Sequence, residues 1–295
     1  MEVKITGRII KQTGGFYYVD TAEKVVECRA RGLFRKEGIT PLVGDIAEIE
    51  MTDSGKGFVT ALLPRKNFMI RPAVANIDLL LLILSIADPA PNLSVVDKML
   101  AIAEKKDIDV AIIVTKADIA DTSGLCKLYR DAGYKVISLN SLEDPTDEVK
   151  ELIDGKLCVL TGNTGAGKST LLNAIDPTLA IKTGETSRKL GRGRHTTRTT
   201  ELYPLCGGLI ADTPGFSALE TIQLEVIKKD VLELCFREFE PYLGKCRFVG
   251  CSHTKEKGCA VLEALNNGEI AASRHKSYCD MYEEAKLIKD WEVDK

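Results

Sequence analysis

Residues 162 to 169 read Gly-Asn-Thr-Gly-Ala-Gly-Lys-Ser, with the apolar run Leu157–Leu160 before them and the helix-forming stretch Thr170–Ile175 after. Glycines at this spacing let the backbone curl so that successive N–H groups converge on phosphate oxygens. The helix behind them adds the positive end of its dipole. Strand, loop and helix in that order predict one unit of an α/β sheet. Lys168 is placed to reach the β and γ phosphates, and the Ser169 hydroxyl to bind Mg2+. The candidate phosphate site is therefore Gly162, Asn163, Thr164, Gly165, Ala166, Gly167, Lys168, Ser169 and Thr170. A glycine-rich turn that merely matches the pattern is the alternative, and the flanking strand and helix argue against it.

Two further strand ends carry chemistry. The short apolar segment Gly208–Ala211 runs into Asp212-Thr213-Pro214-Gly215. A carboxylate there can hold the Mg2+ shell, and Gly215 can offer an N–H that senses the γ phosphate. Upstream, the strand Val110–Val114 ends in Thr115-Lys116-Ala117-Asp118. The Asp118 carboxylate can accept from both the N1–H and the amino group of guanine while the Lys116 stem packs on the ring. Adenine lacks that pair of donors. Such segments usually begin with Asn, so Thr115 predicts a lost carboxamide contact and a modest guanine affinity. Ser138, just after the strand Tyr134–Ile137, falls where a second base-contact loop is expected. The base-selecting segment precedes the phosphate loop, the reverse of the ordinary order, so the domain reads as circularly permuted.

On either side the pattern changes. Residues 1–65 hold short period-two segments (Val3/Ile5, Phe16/Tyr18, Val25/Cys28, Ile46/Ile49, Phe58–Leu63) parted by Gly, Asp or Thr, which predict a small β-barrel. An OB-like barrel is favoured over an SH3-like one. Residues 66–220 alternate strands with helices, the pattern of a parallel sheet covered on both faces. One of those helices is expected to open at Ser94 with Asp97 in a capping box. Residues 221–295 read as helical around a cysteine-rich loop. There Cys246, Cys251, His253 and Cys259 offer three thiolates and an imidazole within one loop, the donor set of a closed, structural Zn2+ site.

Composition supplies exclusions. With 44% hydrophobic residues and a net charge of −3, a chain of 295 residues is not disordered throughout. Its longest apolar run, Leu79–Ala87, is far short of the roughly 18 residues that span a bilayer, so no membrane contact is expected. The N-terminus lacks the apolar core of a secretory signal, which predicts a cytoplasmic address. Nine cysteines, mostly scattered, do not read as a disulfide framework.

Taken together, the barrel-like N-terminus, TKAD, GNTGAGKST, Gly193-Arg194-His195-Thr196-Thr197, DTPGF and the Cys/His cluster are similar to the ribosome small subunit-dependent GTPase A family. These are circularly permuted bacterial GTPases involved in small-subunit maturation. The resemblance spans essentially the whole chain. It implies hydrolysis of GTP to GDP stimulated by the small (30S) subunit, binding to rRNA gated by the nucleotide, and action as a monomer. It also implies that His195 serves the attacking water, since Phe216 occupies the position where many GTPases carry Gln. His195 as an RNA contact is the alternative. Thr196 or Thr197 is expected to close on Mg2+. Six cations between Lys182 and Arg198, against the single acid Glu185, are expected to face RNA phosphates. Two rival readings stay open at this point: a P-loop ATPase or kinase, and a non-catalytic RNA-binding factor.

Overall fold

The computed structural model describes residues 5–87, 90–140, 147–162, 165–179, 200–212 and 225–287. The first elements in chain order are β1 (Ile5–Thr13), β2 (Phe16–Thr21), β3 (Val25–Ala30), α1 (Leu33–Lys36), β4 (Ile46–Met51) and β5 (Gly57–Leu62). A two-stranded ribbon of β6 (Phe68–Met69) and β7 (Val74–Ala75) follows, then β8 (Leu79–Ser85), α2 (Leu93–Lys105), β9 (Asp109–Thr115), α3 (Ser123–Asp131) and β10 (Lys135–Ser138). Next come α4 (Asp147–Ile153), β11 (Leu157–Gly162), α5 (Lys168–Ile175), β12 (Thr200–Leu205) and β13 (Gly208–Asp212). The C-terminal part holds α6 (Lys229–Leu232), 3-10 turns at Glu233–Cys235 and Arg237–Tyr242, α7 (Ala260–Asn266) and α8 (Ala272–Lys286). Among the described residues no helix is long and apolar enough to cross a membrane. The chain forms two compact units, one of Met1–Leu81, Leu142–Thr161 and Gly167–Pro214, the other of Leu82–Ser141, Gly162–Ala166 and Gly215–Lys295.

In the first unit, β1 pairs antiparallel with β2, β2 with β3 and β5 with β4, β3 lies parallel to β5, and β4 returns to β1. Five strands thus close on themselves, and closure removes the open edge that a meander would expose. Alternation in the sequence fixes which side is in: Ile9, Val19, Val26, Cys28, Ala47, Ile49 and Val59 are buried while their neighbours face out. The β1–β2 hairpin turns on Gly14 and Gly15, whose φ angles of 57° and 82° suit a two-residue primed turn. Just past the barrel, Arg65 forks onto the fully buried Asp45 carboxylate (Nε–Oδ1 2.7 Å, Nη2–Oδ2 2.8 Å), which also accepts from the Leu42 N–H.

The same unit contains β11 parallel to β13, β13 antiparallel to β12, and β12 antiparallel to β1. The expected all-parallel sheet is therefore mixed. Thr200–Leu205 gave no strand signal because Pro204 interrupts it and a long polar loop precedes it, yet it forms a hairpin with β13 in which Pro204 faces Leu209.

The second unit holds β10 parallel to β9, with β8 beside β9. Every residue of β8 is buried, as an unbroken apolar run demands when both faces of a strand are covered. Helix α2 differs from expectation at its start. Asn92 is the cap, its side chain accepting from the Ser94 N–H. Asp97 is instead buried, receiving Arg274 Nη1 at 2.7 Å and the Tyr129 hydroxyl at 3.1 Å. Arg274, on α8 and 1% exposed, also forks onto Glu238 (Nε–Oε1 2.7 Å, Nη2–Oε2 3.2 Å). Around this pair the C-terminal segment builds an aromatic core: Phe236 meets Tyr278 edge to face at 5.3 Å, and Phe239 lies 4.9 Å from Tyr278. Each such ring contributes roughly 1.5–3 kcal/mol by burial.

Candidate functional site

The phosphate loop begins where β11 runs out. Gly162 takes φ 155°, and a Cβ there would lie 2.1 Å from the Ile83 carbonyl oxygen, so only glycine lets the chain leave the strand this close to its neighbour. Gly165 and Gly167 also have positive φ, at 82° and 89°. Gly167 stands at the N-cap of α5 and offers no side chain to the first-turn amides of Lys168, Ser169 and Thr170. An uncapped helix start on a glycine-bearing turn presents donors to an anion.

In the second unit the base-selecting segment meets this loop. Thr115, the last residue of β9, is fully buried, and its hydroxyl donates to the Ala166 carbonyl at 3.0 Å, with Leu84 O 3.4 Å away. Lys116 adopts a left-handed φ of 65°, held there as its Nζ donates to Ala87 O at 3.1 Å. Asp118 follows with an exposed carboxylate. The end of β10 closes on the same segment, with Leu139 N–H donating to Val114 O (2.8 Å) and Ala117 N–H to Leu139 O (3.3 Å). Ser138 is exposed and shares a hydrogen bond of 2.9 Å with Thr122. In the first unit, the parallel register sets Asp212 opposite Leu160, at the end of the strand beside the one that feeds the phosphate loop.

The Cys/His group is assembled as the spacing predicts. One ligand atom from each of Cys246, Cys251, His253 and Cys259 falls within 4.8 Å of all the others. Cys246 Sγ lies 3.8 Å from Cys259 Sγ and 3.6 Å from His253 Nδ1, and Nδ1 lies 3.3 Å from Cys259 Sγ. Zinc–ligand bonds of about 2.3 Å to sulfur and 2.0–2.1 Å to nitrogen give tetrahedral edges of about 3.8 and 3.6 Å, so the residues fit the ion. Ala260 N–H donates to Cys246 Sγ at 3.3 Å. Burial pushes the Cys251 thiol up to about 12 and raises that of Cys259. Beside them Glu256 is drawn down to about 2: burial works against it, but the Ser252 hydroxyl and the N–H groups of Ser252, Thr254 and Lys255 all donate to it.

Residues 62–222 match the model of the family described as RsgA GTPase, and residues 6–59 that of the RsgA N-terminal domain. A relative described as "Small ribosomal subunit biogenesis GTPase RsgA" from Caldanaerobacter subterraneus subsp. tengcongensis is 42% identical over 288 residues, covering 96% of this chain and 96% of its own. The chain belongs to the RsgA GTPase family. Another RsgA relative, from Alkaliphilus metalliredigens, is 42% identical and covers 95% of this chain and 97% of its own. Two crystal structures are similar over nearly the whole chain. YloQ, described as a circularly permuted GTPase, superposes with a TM-score of 0.75 at 34% identity, covering 97% of this chain and 96% of its own. YjeQ from Thermotoga maritima superposes with 0.78 at 31%, covering 97% and 100%. The permuted order read from TKAD, GNTGAGKS and DTPG is thus the order of the RsgA fold.

Among the expected site residues, Thr115, Lys116, Asp118, Ser138, Gly162, Gly165 and Ala166 lie in the second unit, and Gly167, Lys168, Ser169, Thr170 and the Asp212 backbone in the first. Thr115 is fully buried, and its hydroxyl is engaged by the Ala166 carbonyl. Asn163, Thr164, His195, Thr196, Thr197, Gly215, Phe216 and the cations from Lys182 to Arg198 lie outside the described residues. Sequence reasoning missed Ala166 as the acceptor for Thr115 and Glu233 beside His253. Neither has a local pattern, because each pair joins distant parts of the chain.

Proposed function

We propose that this chain is a GTPase of small ribosomal subunit biogenesis that hydrolyses GTP to GDP and phosphate, stimulated by the subunit and released from it after hydrolysis. The hydrogen bond from Thr115 to Ala166 carries the reading most directly, because it ties the guanine-selecting segment to the phosphate loop. The family adds that its named relatives act in small-subunit biogenesis.

In this reading Asp118 accepts from the guanine edge, Lys116 lines the ring and Ser138 borders it. The amides of Gly162 to Thr170 hold the phosphates, and Lys168 neutralises charge that builds toward the γ phosphate. Ser169 and Asp212 are the residues suited to Mg2+, which when bound offsets phosphate charge. His195 orients the attacking water, Thr196 or Thr197 completes the magnesium shell, and Gly215 senses the γ phosphate. The Cys246, Cys251, His253 and Cys259 site holds one structural Zn2+, with no open position for chemistry.

We assign residues 1–65 to an RNA-binding barrel, 66–220 to the permuted GTPase domain and 221–295 to the zinc domain, the whole acting as a cytoplasmic monomer. The RNA-facing surface comprises the barrel, the cations from Lys182 to Arg198 and the zinc loop. That loop exposes Lys245, Arg247, Phe248, Lys255 and Lys257. Three weak attachments to one rRNA surface add up to tight binding.

Phosphate release from GTP, followed with and without purified small subunits, tests the proposal. Wild-type turnover should rise with subunits, and Lys168→Ala should abolish it. Turnover that is as fast without subunits as with them would refute the partner, and release from ATP in preference to GTP would refute the substrate.

A further inference from the structure

His253 is held on three sides. Its Nδ1 faces the Cys246 and Cys259 sulfurs at 3.6 and 3.3 Å, and its carbonyl oxygen lies 2.8 Å from His275 Nε2. Its Nε2 lies 2.8 Å from Glu233 Oε2, a residue 20 positions upstream in the turn after α6. His253 is 2% exposed, and the Phe239 ring meets its imidazole edge to face with centroids 6.3 Å apart. The backbone at His253 is left-handed, φ 56°, a conformation a non-glycine residue keeps only when its surroundings enforce it. A histidine with one nitrogen among thiols and the other on a carboxylate has its tautomer decided: the proton stays on Nε2, which donates to the carboxylate, and the Nδ1 lone pair faces the metal site.

We propose that Glu233 is a positioning residue of the metal centre, fixing His253 as the Nε2–H tautomer so that Nδ1 is the ligand atom. It also adds a negative charge next to a cation site. This inference rests on the zinc reading above and is independent of the GTPase reading.

The test uses full-length protein. Zn2+ affinity is measured by competition with a chromophoric chelator, Co2+ absorption reports the coordination geometry, and long-range 1H–15N correlation of the histidine ring reports the tautomer. Wild type should take up one Zn2+ with His253 protonated at Nε2. Glu233→Ala should weaken Zn2+ binding roughly ten- to hundredfold while Co2+ still gives a tetrahedral spectrum. Glu233→Gln keeps an acceptor oxygen without the charge, so its affinity should fall between the two, and it serves where Glu233→Ala does not fold. Affinity unchanged in both variants, or ligation through Nε2 in the wild type, overturns the proposal. Wild type that binds no Zn2+ overturns the zinc reading together with it.

Discussion

The hydroxyl of Thr115 is spent on the carbonyl of Ala166, 51 positions further along the chain, so the end of β9 braces the phosphate loop from inside. Thr115→Val keeps the shape and removes the donor. Leaving the buried carbonyl unpaired costs about 1–3 kcal/mol. Binding of a fluorescent GDP analogue should therefore weaken roughly tenfold. Thr115→Ser should restore most of it, since the hydroxyl returns.

Asp118 sets the base preference. Asp118→Asn replaces an acceptor with an amide that can donate, which suits the exocyclic C2 carbonyl oxygen that xanthine carries in place of guanine's amino group. Competition titrations should give weaker GTP binding and stronger xanthosine triphosphate binding, the base carrying that carbonyl. An unchanged preference would remove Asp118 from the base site.

Arg274 and Asp97 form a buried pair whose loss strands the remaining charges. Arg274→Met leaves Asp97 and Glu238 without their cation and should lower stability by about 3–5 kcal/mol in denaturant titration. Asp97→Asn, in which Glu238 still holds the guanidinium, should cost less.

Zinc uptake should be steeply dependent on pH. The metal-free thiols of Cys251 and Cys259 are raised by burial, so both are neutral at pH 7 and must lose their protons when the ion binds. Protons released on binding mean that affinity rises with pH and falls in acid. With at least these two protons displaced, the apparent constant should change by about a hundredfold or more per pH unit near neutrality. Calorimetry in buffers of different ionisation enthalpy counts the protons directly, and a count of zero would rule out thiolate ligation.

What the sequence made legible was local. Period-two alternation located the barrel strands, glycine spacing located the turn between β11 and α5, and Cys246, Cys251, His253 and Cys259 were read as one cluster because all four lie in one loop. What it hid was carried by partners far away in the chain. Asp97 looked like a cap because its nearest sequence neighbours fit one, while its true partner, Arg274, lies 177 residues on. That Thr115 also donates to Ala166 could not be read locally, because the two lie 51 positions apart. Strand β12 was missed because its hydrogen bonds go to β13 and β1, and neither partner marks the segment itself.

The pairing of β12 with β1, Lys11 facing Glu201 and Gln12 facing Thr200, makes the N-terminal barrel more than an appendage. Cutting the gene after the barrel to obtain a minimal catalytic fragment would strip Thr200 and Glu201 of their outer neighbour and leave that end of β12 open to pairing with another molecule. Such a fragment should associate more readily than the full chain, so the barrel strand β1 guards an edge that belongs to the nucleotide-binding sheet.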